Sequence, residues 1–89
     1  MVTLFARHRV TDYAVWREVY DAFFKTRNAV GVSSETVFQS TSDPNDVTMM
    51  FELPSTAAAQ AFLENEELRK ALAKGGLVGT PAVWIAEKT

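Results

Sequence analysis

Apolar and polar residues alternate along the first ten positions, which predicts a β-strand from Val2 to Val10 with two different faces. The even-numbered face carries Leu4 and His8, and the odd-numbered face carries Arg7 and Arg9. Arginines are costly to bury without partners. We therefore expect the even-numbered face, which includes His8, to pack against helices.

The pattern then changes to the period of a helix. Bulky side chains recur at helical spacings and form one wide stripe of Tyr13, Trp16, Tyr20, Phe23, Phe24 and Arg27. Thr11 or Asp12 supplies an N-cap oxygen, and Gly31 is a suitable stop after a helix that runs to Ala29 or Val30. The stripe is broader than a helix needs merely to cover a sheet.

Two short strands follow and form a hairpin. They are predicted at Glu35 to Ser40 and at Val47 to Leu53. The intervening "TSDPND" contains proline, asparagine and aspartate, which are typical of turns.

A second helix is expected to start after the cap residue Ser55 and to be interrupted. Its period slips after Leu63, and Asn65 followed by two glutamates resembles a new helix start. We therefore predict a break or a marked bend between Leu63 and Glu66.

The C-terminal part is predicted to contain a loop and one more strand. Gly75 and Gly76 end the helical segment, Val78 to Pro81 is expected to be a loop, and Ala82 to Lys88 is the last strand. The order β-α-β-β-α-β predicts an α+β, ferredoxin-like fold in a single domain spanning residues 1–89. It has a four-stranded antiparallel sheet with two helices on one face.

The second face of such a sheet would be bare. Whether the odd- or the even-numbered strand residues face away from the helices, bulky side chains would meet water there in a monomer, such as those of Phe5, Leu4, Met50 or Phe51. A homodimer joined through the sheet faces is the expected solution.

Composition excludes several kinds of function. The net charge of −2 and the scattered cations argue against nucleic-acid binding. The chain has no cysteine and a single histidine, so we expect no disulfide and no metal site. We see no signal peptide and no apolar run approaching ~18 residues, and we therefore expect a cytoplasmic protein that does not bind membranes.

Three segments resemble a known group of proteins. These are "RHRVTDYAVWREVYD", "VTMMFELPSTAAAQAFLENEELRKAL" and "PAVWIAEK". Together they resemble the antibiotic-biosynthesis-monooxygenase-like proteins of the dimeric α+β-barrel superfamily. The resemblance covers essentially the whole chain and lies in the order and length of the elements. It implies that fold, a homodimer, and a pocket between the sheet and the helices of each subunit.

The resemblance leaves the chemistry open, because members of the superfamily include cofactor-independent oxygenases, haem-degrading enzymes, lactone isomerases and polyketide cyclases. Its oxygenases use a polar strand residue with a tryptophan and an arginine. The candidates for these places here are His8, Trp16 or Trp84, and Arg27. The haem-degrading members have an axial histidine on the second helix, and Ser55 to Lys74 contains none, so we expect no cofactor.

His8 is the candidate for a general base or acid, since the ordinary pKa of a histidine, ~6.5, lies near neutrality. The alternative is a histidine whose ring simply bonds a nearby carbonyl or carboxylate. Arg27 either binds an anionic oxygen of a substrate or extends to solvent near the helix C-terminus. The candidate substrate-binding residues are Tyr13, Trp16, Tyr20, Phe24, Arg27, Phe62 and Trp84.

Two functional hypotheses follow. In the first, the protein is a cofactor-independent oxygenase- or cyclase-like enzyme that acts on a small aromatic or enolisable compound, with His8 as the base. In the second, it is a non-catalytic dimer that binds a small apolar ligand or none. An open pocket with His8 facing it would distinguish them. RNA-recognition modules share the strand order, but the exposed aromatic and basic strand residues that they use are missing here.

Overall fold

The computed structural model describes all residues from Met1 to Thr89. Its elements are β1 (Val2–Val10), α1 (Tyr13–Ala22), α2 (Phe24–Ala29), β2 (Ser34–Gln39), β3 (Asp46–Leu53), α3 (Thr56–Glu64), α4 (Glu66–Lys74) and β4 (Leu77–Ala86). The strands form one antiparallel sheet in the order β2-β3-β1-β4, with the helices on one side. The predicted ferredoxin-like α+β fold is confirmed. None of the four helices has the length and hydrophobicity needed to span a bilayer.

The central strand β1 divides the sheet into a covered face and an open face. Its even-numbered residues are all buried, whereas Arg7 and Arg9 are exposed. Leu4 is fully buried beside Phe51 of β3, and His8 is 4% exposed beside Val47. The expectation that the even-numbered face packs against the helices is therefore correct.

The first helical segment is interrupted, which the sequence did not indicate. Asp12, one of the two expected cap residues, caps α1, with its Oδ1 accepting from the Ala14 amide at 2.9 Å. The helix then ends at Ala22, and the Phe23 amide donates to the Tyr20 carbonyl at 3.2 Å in a tighter, three-residue turn. The prediction of one continuous helix to Ala29 or Val30 was wrong, because no glycine or proline marks this turn.

The second helical segment is interrupted where the sequence predicted it. Ser55 Oγ caps α3 by accepting from the Ala58 amide at 3.1 Å. Asn65 ends α3 in an extended conformation and caps α4, its Oδ1 accepting from the Leu68 amide at 3.1 Å. The break between Leu63 and Glu66 is confirmed, and it follows from a capping side chain that replaces the intrahelical bonds.

The C-terminal strand is longer than predicted. It begins at Leu77, so Val78 to Pro81 is part of the sheet and the loop prediction was wrong. The register against β1 shifts between Arg7 and Arg9, which marks an irregularity of the β-bulge type. Gly79, with φ of +72°, takes the left-handed conformation that this distorted stretch requires.

The open face of the sheet keeps large apolar side chains in contact with solvent. Phe5 and Trp84 stack across β1 and β4 with ring centroids 5.4 Å apart. Trp84 and Phe38 are each 48% exposed, and Met50 is half-buried beside them. Such a patch on a small domain is unusual for a surface that only faces water.

Candidate ligand-binding site

A cavity of about 310 Å³ lies between the covered face of the sheet and the helices. Fourteen of its eighteen lining residues are hydrophobic. The volume is at the lower end of the range for small-molecule sites, and few polar groups in an apolar wall are typical of them. The sheet contributes Leu4, Ala6, His8, Met49, Phe51, Pro81 and Val83 to the wall.

Five of the residues predicted from the sequence line this cavity, and they come from β1, α1, α2 and α3. They are His8, Trp16, Tyr20, Arg27 and Phe62. Three other predicted residues, Tyr13, Phe24 and Trp84, do not line it.

Each of these three residues lies elsewhere for a geometric reason. Trp84 pairs with Phe5, so it projects from the open face, and its proposed place in the pocket is corrected here. Phe24 begins α2 directly after the break and is 53% exposed. Tyr13 packs on Trp16 with ring centroids 5.7 Å apart, outside the cavity wall.

His8 reaches the cavity as a buried side chain with an unsatisfied nitrogen. Its Nε2 has no hydrogen-bond partner. Its ring stands edge-on to Trp16, with the centroids 5.7 Å apart. Burial lowers the pKa of the imidazole below its ordinary value, so His8 is neutral at pH 7. A neutral ring with a free nitrogen is able to accept a proton or a hydrogen bond.

Tyr20 supplies the second unsatisfied polar atom of the cavity. Its ring stacks on Trp16 at 4.9 Å, and its hydroxyl is buried without a partner in hydrogen-bond geometry. Burial is the main cause that raises the pKa of the phenol; Arg27 opposes the rise, and the Glu35 carboxylate, which lies close enough to attract the hydroxyl proton, adds to it. The hydroxyl therefore keeps its proton and is a hydrogen-bond donor.

Arg27 is buried and already paired. Its Nε and Nη2 donate to the two carboxylate oxygens of Glu35 at 2.9 and 3.0 Å, and Nη1 donates to the Tyr20 carbonyl at 2.5 Å. Its guanidinium carbon lies 3.6 Å from the centroid of the Tyr20 ring. With only 3% of the residue exposed, the alternative in which Arg27 extends to solvent is excluded.

Sequence reasoning missed Glu35 and most of the wall that α4 provides. Glu35 pairs with Phe51 and so shares the covered face, a parity that alternation along β2 would have revealed. The missed residues of α4 are Leu68, Arg69, Ala71 and Leu72. No three His, Cys, Asp or Glu side chains are grouped so that they could hold a metal ion.

The same fold occurs in solved structures of antibiotic-biosynthesis-monooxygenase-like proteins. A protein of Bordetella bronchiseptica, provisionally assigned as such a monooxygenase, superposes with a TM-score of 0.85 at 12% identity, covering 99% of this chain and 96% of that one. SnoaB of Streptomyces nogalater, a cofactor-independent oxygenase, gives 0.77 at 14% identity, covering 99% and 94%. Rv0793 of Mycobacterium tuberculosis gives 0.75 at 18% identity, with the same coverage.

These similarities define the class of the fold. The chain has the architecture of the antibiotic-biosynthesis-monooxygenase-like proteins over its whole length, as the sequence resemblance implied. No protein-family profile matches the sequence, and no curated protein matches it. At identities of 12 to 18% the similarity concerns the fold, and the chemistry has to be argued from the cavity.

Proposed function

We propose that this protein is a homodimer that binds a small aromatic or enolisable compound in its cavity and uses His8 as a base. One observation carries the proposal. The wall of the apolar cavity includes two buried residues, His8 and Tyr20, whose Nε2 and hydroxyl lack partners. A buried polar atom without a partner costs about 1–3 kcal/mol, and a ligand with matching oxygen functions would recover this energy.

The two polar groups have complementary roles toward such a ligand. Neutral His8 accepts a proton from a phenol or from an acidic carbon next to a carbonyl. The hydroxyl of Tyr20, which keeps its proton, then donates a hydrogen bond to the oxygen that becomes negative. Trp16 contacts both residues, with centroids 5.7 Å from His8 and 4.9 Å from Tyr20, and contributes to the same apolar wall.

An oxygenase reaction needs no further group from the protein. After His8 removes a proton from a ring methylene, the carbanion adds dioxygen to form a peroxide. Protonated His8 returns its proton to the peroxide, which loses water and leaves a carbonyl. One dioxygen is consumed and one water released. The fold shared with SnoaB, a cofactor-independent oxygenase, supports this choice among the reactions that a base can start.

The homodimer is supported by the open face of the sheet. The Phe5–Trp84 stack, Phe38 and Met50 form an apolar surface that a second copy would cover. The paired Arg7–Asp46 and Arg9–Asp43 side chains at one end of this face provide a polar border.

A non-catalytic ligand-binding dimer is the second candidate, and one observation favours it. Arg27, the residue expected to stabilise an oxyanion, has its guanidinium nitrogens engaged by Glu35 and the Tyr20 carbonyl. Of the residues in the buried part of the wall, only Tyr20, through its hydroxyl, is left for that task. A ligand would then be held by the same two groups without being converted.

A ligand screen followed by an activity assay tests the proposal. Phenols, anthrones and β-diketones are screened for an increase in melting temperature, and each hit is assayed for oxygen uptake and for ring closure. We expect hits in the wild type that weaken in a His8→Ala variant. Hits without turnover would favour the second candidate, and the lack of any hit would overturn the proposal and favour a dimer that binds no ligand.

A further inference from the structure

The solvent-exposed part of the cavity wall comes from α4 and β4, and we take it as the entrance. Among the lining residues only Arg69 of α4 and Val83 of β4 are exposed, whereas all others are buried or half-buried. A ligand that fills the cavity therefore has one end beside Arg69. The other end reaches the buried part of the wall that His8 and Tyr20 form.

Arg69 is anchored by one nitrogen only. Its Nε donates to the Leu63 carbonyl at 3.2 Å, across the break at Asn65. The guanidinium forms no ion pair, not even with Glu66 one helical turn earlier. The two Nη groups are thus held near the entrance with their donors unused by the protein.

The charge of the cavity wall is not balanced. The wall contains two arginines and no carboxylate. Glu35, which lies behind the wall, neutralises Arg27 through its two-point contact. Because His8 is neutral, Arg69 remains as the uncompensated positive charge of the site.

We infer that Arg69 selects ligands with a carboxylate at the end that stays in the entrance. The inference rests on the proposed function and narrows its ligand class to hydroxylated aromatic acids. The ring would fill the apolar part, the hydroxyl would reach His8 and Tyr20, and the carboxylate would accept two parallel hydrogen bonds from the free edge of the Arg69 guanidinium.

Two probes that differ only in the carboxylate test this inference. Calorimetric titration compares para-cresol with para-hydroxyphenylacetate on the wild type, on Arg69→Gln and on Lys70→Gln. The last variant is the control, because it removes the same charge one residue further along α4 at a side chain outside the wall. We expect the wild type to bind the acid about fivefold more tightly than the cresol.

The variants should separate a local contact from a general charge effect. Arg69→Gln should lose the preference for the acid and bind the cresol as before, while Lys70→Gln should keep the preference. Added salt should weaken the preference in the wild type, because the entrance is exposed to solvent. This salt dependence tests the inference without any substitution.

The contradicting outcomes are distinguishable. Equal binding of both probes by the wild type, or an equal loss in Lys70→Gln, would overturn the role of Arg69 and leave the proposed function standing. Binding of neither probe would overturn the proposed function, and this inference with it.

Discussion

Arg27 and Glu35 form a two-point ion pair that links α2 to β2 beside the cavity, with nitrogen–oxygen distances of 2.9 and 3.0 Å. Arg27 is only 3% exposed, and its guanidinium also donates to the carbonyl of Tyr20 in the last turn of α1. The charge is thus neutralised within the protein. Its role is to fix the segment around the break at Phe23 and the position of the Tyr20 ring.

Removal of one partner of this pair should be costly. We expect Arg27→Met to lower the free energy of unfolding by about 3 kcal/mol, because the Glu35 carboxylate and the Tyr20 carbonyl lose their partner. The double variant Arg27→Met/Glu35→Leu should lose less than the single change. Urea denaturation measures both. Arg17→Met, which removes the exposed pair with Asp21, is the control and should cost less than about 0.5 kcal/mol. A double variant that loses as much stability as Arg27→Met, or more, would contradict the coupling.

Burial of His8 should make the stability depend on pH in a defined window. The pKa of His8 is lowered in the folded state, so the unfolded chain takes up the proton first as the pH falls. Stability is therefore complete above about pH 6.5 and is lost as the pH falls from there through the lower pKa of the folded state. Urea denaturation at about pH 7.5 and about pH 5.5 should show this loss in the wild type and not in His8→Asn.

Stability at more acidic pH provides a check on the assignment of the loss near pH 6 to His8. The Arg7 guanidinium lowers the pKa of Asp46. The ionised Asp46 therefore contributes to the free energy of unfolding until the pH falls below the ordinary range of a carboxyl group. The variant Asp46→Asn should change the stability profile there and leave the His8 window intact. If His8→Asn retained the loss near pH 6, the burial of a neutral His8 would not be its cause.

Replacement of the proposed base should abolish most of the turnover of any substrate found. We expect His8→Ala to reduce the turnover number by ~10²–10⁴, because proton transfer then depends on solvent. Phe24→Ala should leave the rate unchanged, since Phe24 lies outside the cavity wall. Steady-state kinetics measure both. A fully active His8→Ala enzyme would remove His8 from the mechanism.

A charge on the open face of the sheet should separate the subunits of the proposed homodimer. The chain mass is 9.9 kDa, and light scattering of the wild type should give twice that value. Trp84→Glu places a carboxylate in the stack with Phe5 and should produce monomers. The control is Val15→Glu, because Val15 is also a large exposed apolar residue, 49% exposed, but lies on α1. A wild-type mass near 9.9 kDa would contradict the dimer.

Features that depend on neighbouring residues were predictable from the sequence alone. The alternation of β1 identified its bounds and its buried face, and the capping side chains of Asp12, Ser55 and Asn65 located the helix starts. A strand period and a helix cap are formed within a few residues, so their signals lie in the local pattern. The order of these elements then led to the ferredoxin-like fold.

Features that depend on residues far apart in the chain required the tertiary structure. Trp84 faces the open side because it pairs with Phe5 across β1 and β4, a contact between residues far apart in the chain. Arg27 is buried because Glu35, on a separate strand, neutralises it. The sequence named His8 as the candidate base. Only the packing of α1 and α4 over the sheet decided that its Nε2 is buried and unpartnered on the wall of an apolar cavity.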